Sequence, residues 1–210
     1  MPLIYHHQIN AATKIGVWHI TEAEIFFLQK VSLQRSITHP HKRLQHLAGR
    51  HLLLDLFPEF PLPLIQIATT RKPFLPDEAF HFSISHCGDY AAAIVSTQNR
   101  VGVDIEIPHP KIERIQHKFV TAQENELLAT IDVNGHPEFS ELTMAWSIKE
   151  AIFKWQGIGE VDFKKHMQIE AINKTSNGFV ADCIFKKETA IHLQVYNILV
   201  DGNNLSWVLT

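Results

Sequence analysis

Two carboxylates stand two positions apart in the stretch Val101 to Ile107, which reads Val-Gly-Val-Asp-Ile-Glu-Ile. The alternation has the period of an extended chain, so Val101, Val103, Ile105 and Ile107 share one face and Gly102, Asp104 and Glu106 the other. Like charges on one face repel, and burying either without a partner is costly. A divalent cation removes that penalty. Hard oxygen ligands on a rigid strand suit magnesium, which takes one or two carboxylates and fills its other positions with water and substrate phosphate. Gly102 beside the acids predicts room for a ligand to approach the backbone. The same pattern would also serve a strand whose acids simply stay in water.

A second group lies on the run from about Glu138 to Gln156, which reads as a long helix closed by Gly157. Ala145, Ile148, Ile152 and Trp155 form its inward stripe. Trp146, Glu150 and Lys154 follow one another at four-residue steps on another side, with Lys149 alongside. A Glu four residues before a Lys is also a common surface pair, contributing about 0.2–0.5 kcal/mol. Upstream, the strand expected from Phe80 to Ser85 runs into the turn signal His86-Cys87-Gly88-Asp89, and Lys72-Pro73 stands at another turn. No acidic residue occurs between Ile25 and Leu54, whereas Lys30, Arg35, Lys42, Arg43 and Arg50 do, with His39, His41, His46 and His51. Arg43, His46 and Arg50 share a stripe of the helix expected from His41 to Phe57, next to the apolar stripe of Leu44, Leu47, Ala48 and Leu52. Such a row can face an anion or water. His51 lies on the apolar stripe, as a core histidine would, and the remaining histidines lack zinc-site spacing.

The elements that must position these groups alternate in kind. A strand is expected from Ile15 to Ile20, and Thr21 with Glu24 reads as a capping box opening a helix to about Gln34. After the helix to Phe57, a strand is expected from Leu64 to Thr69 and a hairpin from Phe80 to Ser96. Beyond the acidic strand come a weak helix from Lys111 to Lys118, a helix to about Thr130 opened by the Thr121/Glu124 capping box, a turn at Asn134 to Pro137 and the long helix. Four strands follow: Met167 to Ile172, Phe179 to Phe185, Ile191 to Leu199 and Leu205 to Leu209. Helices then strands, twice over, predict an α+β fold in two halves that meet near residue 100.

Composition sets outer bounds. With 210 residues the chain needs no staples. A formal net charge of −3 argues against general nucleic-acid affinity, and no apolar run approaches the ~18 residues of a membrane span. The first seven residues lack the pattern of a signal peptide, and Cys87 and Cys183 make no disulfide framework, so a cytoplasmic location is expected.

Gly102-Val-Asp104-Ile-Glu106, then Trp146-Ser-Ile-Lys149-Glu150-Ala-Ile-Phe-Lys154, and upstream Ser85-His86 with Lys72-Pro73, together resemble the 4'-phosphopantetheinyl transferases of the larger, surfactin-synthetase-activating type. The resemblance runs from about Arg43 to Gly159. It implies two similar α+β halves, residues 1–100 and 101–210, each an antiparallel sheet packed with helices, in a pseudo-dimeric monomer with the active site at their interface. It also implies transfer of the phosphopantetheine arm of coenzyme A to a serine of an apo acyl or peptidyl carrier protein, with release of adenosine 3',5'-bisphosphate. By resemblance Asp104, Glu106 and Glu150 would hold Mg²⁺, Glu150 would take the serine proton, and Lys154 would stabilise or protonate the leaving phosphate. Lys149 would contact the pyrophosphate or orient the acids, while Trp146 would pack under the metal site. His86, Ser85 and Lys72 would bind the 3'-phosphate of coenzyme A. The family places an arginine where this chain has Gln45, for which Arg43 or Arg50 would substitute. The carrier would meet the region from Pro108 to Thr130. Two other readings share the residues: a non-catalytic coenzyme A or carrier-protein binding module, and a magnesium-dependent phosphohydrolase.

Overall fold

A computed structural model describes residues 2–34, 36–131 and 140–210. The chain forms two compact units, Met1–Val101 and Gly102–Thr210. Both are mixed α+β, with a long helix on an antiparallel sheet.

The first unit holds β1 (Leu3–Asn10), β2 (Thr13–His19), α1 (Glu24–Leu28), α2 (Pro40–Leu56), β3 (Gln66–Ile67), β4 (Pro73–Phe74), β5 (His81–Cys87) and β6 (Tyr90–Ser96). Its main sheet has the order β1-β2-β6-β5, antiparallel throughout. The strand at β1 is absent from the sequence expectation. Most of its side chains are exposed, so no alternation marks it, and it is held by the ladder to β2 and by Asn10 Oδ1 accepting from the Ala12 N–H at 2.9 Å. The capping box expected at Thr21 does not form. Ala23 is the N-cap, α1 ends at Leu28, and the Glu24 carboxylate instead accepts from Arg43 Nε at 2.8 Å. The strand expected from Leu64 to Thr69 shrinks to Gln66–Ile67.

The helix α2 begins as its sequence dictates, with Pro40 in the first turn and the His39 ring accepting from the Lys42 N–H. Leu47, Ala48, Leu52, Leu53 and Leu56 are buried against β2 and β6, where Ala91 and Ala93 let the helix lie close. His51 is the core histidine expected: Trp18, Phe26 and Phe27 surround its ring, and burial pushes its pKa down.

The second unit contains β7 (Val101–Glu106, whose first residue closes the first unit), α3 (Pro110–Ile115), α4 (Ala122–Ala129), α5 (Glu141–Gln156), β8 (Met167–Thr175), β9 (Gly178–Lys186), β10 (Ala190–Val200) and β11 (Asn203–Leu209). The sheet order is β7-β11-β10-β9-β8, so the acidic strand lies at one end beside the last strand of the chain. The capping box at Thr121 and Glu124 forms in full. Ser140 caps α5, and Gly157 ends it in the left-handed region at φ 72°. The turn expected at Asn134 to Pro137, and the helix start at Glu138, lie outside the described residues. Ala145, Ile148, Ile152 and Trp155 are buried as expected, in a core with Met167, Ala181, Phe185, Val195 and Val208. Both cysteines are free thiols, and no described helix is long and apolar enough to cross a membrane.

Candidate active site

The strand β7 and the helix α5 are pressed together by Gly102. A Cβ there would lie 2.1 Å from the Ala151 carbonyl oxygen and 2.6 Å from the Trp155 nitrogen. The expectation that Gly102 leaves room for a ligand is therefore corrected: the space is filled by helix backbone. The consequence serves the same end, because this close approach brings the strand's acids to the helix. Lys154 Nζ donates to Asp104 Oδ1 at 2.5 Å, and Trp146 Nε1 donates to Glu106 Oε1 at 3.3 Å. Partners on the helix move from Trp155 back to Trp146 as the strand advances from Gly102 to Glu106, so the two elements run antiparallel with Gly102, Asp104 and Glu106 all facing α5.

Glu150 completes the group. Its pKa is raised from 4.5 to about 7, first by burial and then by Asp104, with Glu106 adding and Lys154 opposing. The three carboxylates are thus within electrostatic reach of one another, and Asp104 is only 2 % exposed. Crowded acids withdrawn from water form a donor set of hard oxygens, whose mutual repulsion a divalent cation relieves. In that chemical sense the residues fit the expected ion. Among the described residues, however, no group of three His, Cys, Asp or Glu side chains is drawn tightly enough to hold a metal, and the Lys154 ammonium lies on Asp104.

Of the two roles expected of Lys149, pyrophosphate contact does not fit its surroundings. Its side chain is fully buried, and its Nζ donates to the carbonyls of Phe119 at 2.5 Å and Phe163 at 3.1 Å and to Glu124 Oε1 at 2.7 Å. With its three protons so engaged, it does not contact a pyrophosphate. Glu124, which sequence reasoning read only as a cap, also accepts from the Ile169 N–H at 2.9 Å. The signal was there in part, since a capping glutamate spends one oxygen on the cap and leaves the other for a neighbour. Trp146 stacks on Phe163 at 5.3 Å and meets Phe119 edge-on at 5.0 Å.

In the first unit, Ser85 is buried on β5 and His86 exposed; His86 and Cys87, expected in the turn, belong to β5, and the turn is reduced to Gly88 and Asp89. Lys72 has its pKa lowered to about 8 by burial and by Arg100, a cation that sequence reasoning missed although it directly precedes the acidic strand. Two cations this close favour an anion between them. Arg43 is corrected as a ligand candidate: its guanidinium is bound to Glu24 and to the Ile37 carbonyl. Arg50 is half-buried and contacts His46 at 3.1 Å. Gln45 is buried and donates to the Gly88 carbonyl at 2.7 Å.

Residues 100–208 match the family model described as the 4'-phosphopantetheinyl transferase superfamily. The chain belongs to this superfamily. The match spans just over half of the 210 residues and contains Asp104, Glu106, Glu150 and Lys154. Curated relatives are similar to this chain over about half of its length. Enterobactin synthase component D of Salmonella austin is 37 % identical over 122 residues, which cover 54 % of this chain and 47 % of the relative. The 4'-phosphopantetheinyl transferase AcpT of Escherichia coli O157:H7 is 35 % identical over 123 residues, covering 55 % and 59 %. Enterobactin synthase component D of Escherichia coli K12 is 35 % identical over 117 residues, covering 54 % of each. The chain spans about half the length of the curated relatives it matches.

Proposed function

We propose that this protein is a magnesium-dependent 4'-phosphopantetheinyl transferase of the larger, surfactin-synthetase-activating type, which moves the phosphopantetheine arm of coenzyme A to a serine hydroxyl of an apo carrier protein. The observation that carries this reading is the gathering of Asp104, Glu106, Glu150 and Lys154 on one strand and one helix inside the span matched by the family model. In the reaction a bond forms between the serine oxygen and the phosphorus bearing pantetheine. The pyrophosphate P–O bond breaks, and adenosine 3',5'-bisphosphate leaves.

Asp104, Glu106 and Glu150 would hold Mg²⁺, which when bound supplies positive charge against the pyrophosphate. Glu150 takes the serine proton onto a carboxylate oxygen. Without the cation, burial and the neighbouring acids raise its pKa to about 7; bound Mg²⁺ would lower it and keep the carboxylate in its accepting form. Lys154, one helical turn further on, holds Asp104 and presents its ammonium to the phosphate oxygen that gains charge on leaving. Lys72, Ser85 and His86 of the first unit would bind the 3'-phosphate of coenzyme A, with the Arg100 cation beside Lys72. The expected working state is a monomer in a reducing cytoplasm, in keeping with the free thiols.

The test is incubation of the purified protein with coenzyme A, Mg²⁺ and a panel of apo acyl and peptidyl carrier proteins, read by mass spectrometry. The expected result is addition of one phosphopantetheine mass to a carrier. Coenzyme A binding without mass gain on any carrier would overturn the reading in favour of a binding module, and coenzyme A breakdown without a carrier in favour of a hydrolase.

A further inference from the structure

Resting on the magnesium reading above, we propose that Lys149 and Trp146 are positioning residues that fix the Glu106 carboxylate for the cation through the backbones and rings of Phe119 and Phe163. The contacts run without a break. The Lys149 ammonium binds the carbonyls of Phe119 and Phe163. The rings of the same two residues hold Trp146, one stacked on its face with an interplanar angle of 17° and the other edge-on at 67°. The indole N–H so fixed reaches Glu106 Oε1.

Each link has a physical reason. A glutamate on a strand has three rotatable bonds, and a cation site needs its oxygen in one place. Indole offers a single donor in the plane of a rigid ring, so fixing the ring fixes the hydrogen bond. Phe119 precedes α4, and Phe163 lies between α5 and β8. Both are connecting segments, and an ammonium shared by their carbonyls ties them to the helix that carries Trp146, Glu150 and Lys154. Glu124 supplies the countercharge that lets the ammonium stay buried. An apolar side chain of similar length would fill the same volume without the cost of desolvating two charges. What the ammonium adds is therefore placement of the two carbonyls.

Binding of Mn²⁺, used as the probe ion, tests this apart from turnover. Trp146→Phe keeps a ring between Phe119 and Phe163 and removes only the donor. It is expected to weaken Mn²⁺ roughly tenfold, as loss of a partner that orients a ligand does, while the melting temperature of the metal-free protein changes little. Lys149→Met made together with Glu124→Gln removes both buried charges and leaves the oxygen that accepts from Ile169. This pair is expected to weaken Mn²⁺ by a similar factor and to shift the Trp146 indole N–H resonance, with no further weakening when added to Trp146→Phe. Unchanged Mn²⁺ affinity in Trp146→Phe overturns the proposal. So does a Lys149/Glu124 variant that melts earlier but keeps both its affinity and its indole resonance. Glu106→Gln separates the two levels of argument. If it leaves Mn²⁺ binding intact, the magnesium reading fails and the relay with it; if it weakens binding while the Trp146 and Lys149 variants do not, the relay alone falls.

Discussion

Each unit lays a long helix on an antiparallel sheet, yet the two treat charge in opposite ways. Among the described residues of the first unit, the fully buried polar side chains are neutral: Gln45 on α2 and Thr13, Ser83, Ser85 and Ser96 on the strands, with His51 held towards its uncharged form. Under α5 the interior takes in Asp104, Glu124 and Lys149, with Glu150 largely withdrawn from water. Arg43 and Glu24, the ion pair that ties α1 to α2, each keep more than a quarter of the side chain exposed. Burial of ionised groups is expensive and concentrates where a site needs them perturbed. The contrast is between the two interiors: ionised groups are fully enclosed in the second unit, whereas the perturbed cation of the first, Lys72, keeps part of its surface in water.

The largest expected effect bears on that division directly. Glu150→Gln is predicted to lower phosphopantetheine transfer by roughly 10²–10⁴-fold, the contribution of a positioned base, with an unchanged circular dichroism spectrum. Asp104→Ala should lose transfer as well. Turnover near that of the wild type in either variant would remove chemistry from the charged half. Next in size is stability: Glu124→Ala leaves the Lys149 ammonium buried without its countercharge and should cost about 3–5 kcal/mol in denaturant unfolding. Arg43→Met in the first unit should change the midpoint far less, because its pair stands partly in water. Equal losses at the two pairs would erase the distinction between the units.

The pH dependence of stability should also divide the halves. Glu150 has a folded pKa of about 7 against an ordinary 4.5. Between those values the unfolded chain has released the proton that the folded protein still holds, so metal-free protein loses stability as pH rises through this window, by on the order of 3 kcal/mol. Glu150→Gln should flatten that loss. His51 acts with the opposite sign: its pKa is lowered by burial, so the first unit loses stability as pH falls below the ordinary 6.5. Melting curves of wild type and Glu150→Gln at pH 5 and 7.5 check this: the difference between them isolates Glu150, and a wild-type midpoint that falls no more than that of the variant would contradict it.

How much of this could be read from the sequence depended on whether a residue's partner was local. The acids of β7 and the charged side of α5 announced themselves by period, and so did the cap at Thr121, because each pattern spans only a few residues. Thr21 and Glu24 show the same spacing as Thr121 and Glu124 and yet no box forms, since Arg43, nineteen residues away, takes the carboxylate. Lys149 reads as one more exposed cation beside Glu150 until the carbonyls of Phe119 and Phe163, 30 and 14 residues distant, are placed around it. The strand β1 was missed for a related reason: it owes its existence to a ladder with β2 and not to a buried face of its own.

Two glycines give the finest test of the comparison. In α2, a Cβ at Gly49 would meet Ile84 Cγ2 at 2.7 Å, a side-chain methyl that can shift, and Ala gains about 1 kcal/mol over Gly inside a helix. Gly49→Ala should therefore leave stability nearly unchanged. In β7, a Cβ at Gly102 would meet the Ala151 carbonyl and the Trp155 nitrogen, both backbone, so α5 must move away from the strand. A cost of about 1–3 kcal/mol is expected for such overpacking. That movement would also lengthen the contacts of Asp104 with Lys154 and of Glu106 with Trp146, so Gly102→Ala should lower transfer beyond what its lost stability explains, whereas Gly49→Ala should not. Comparing transfer rates at a temperature where both variants are fully folded isolates the geometric part. If Gly102→Ala is as active there as Gly49→Ala, close packing of helix on strand is not what holds the acids in place.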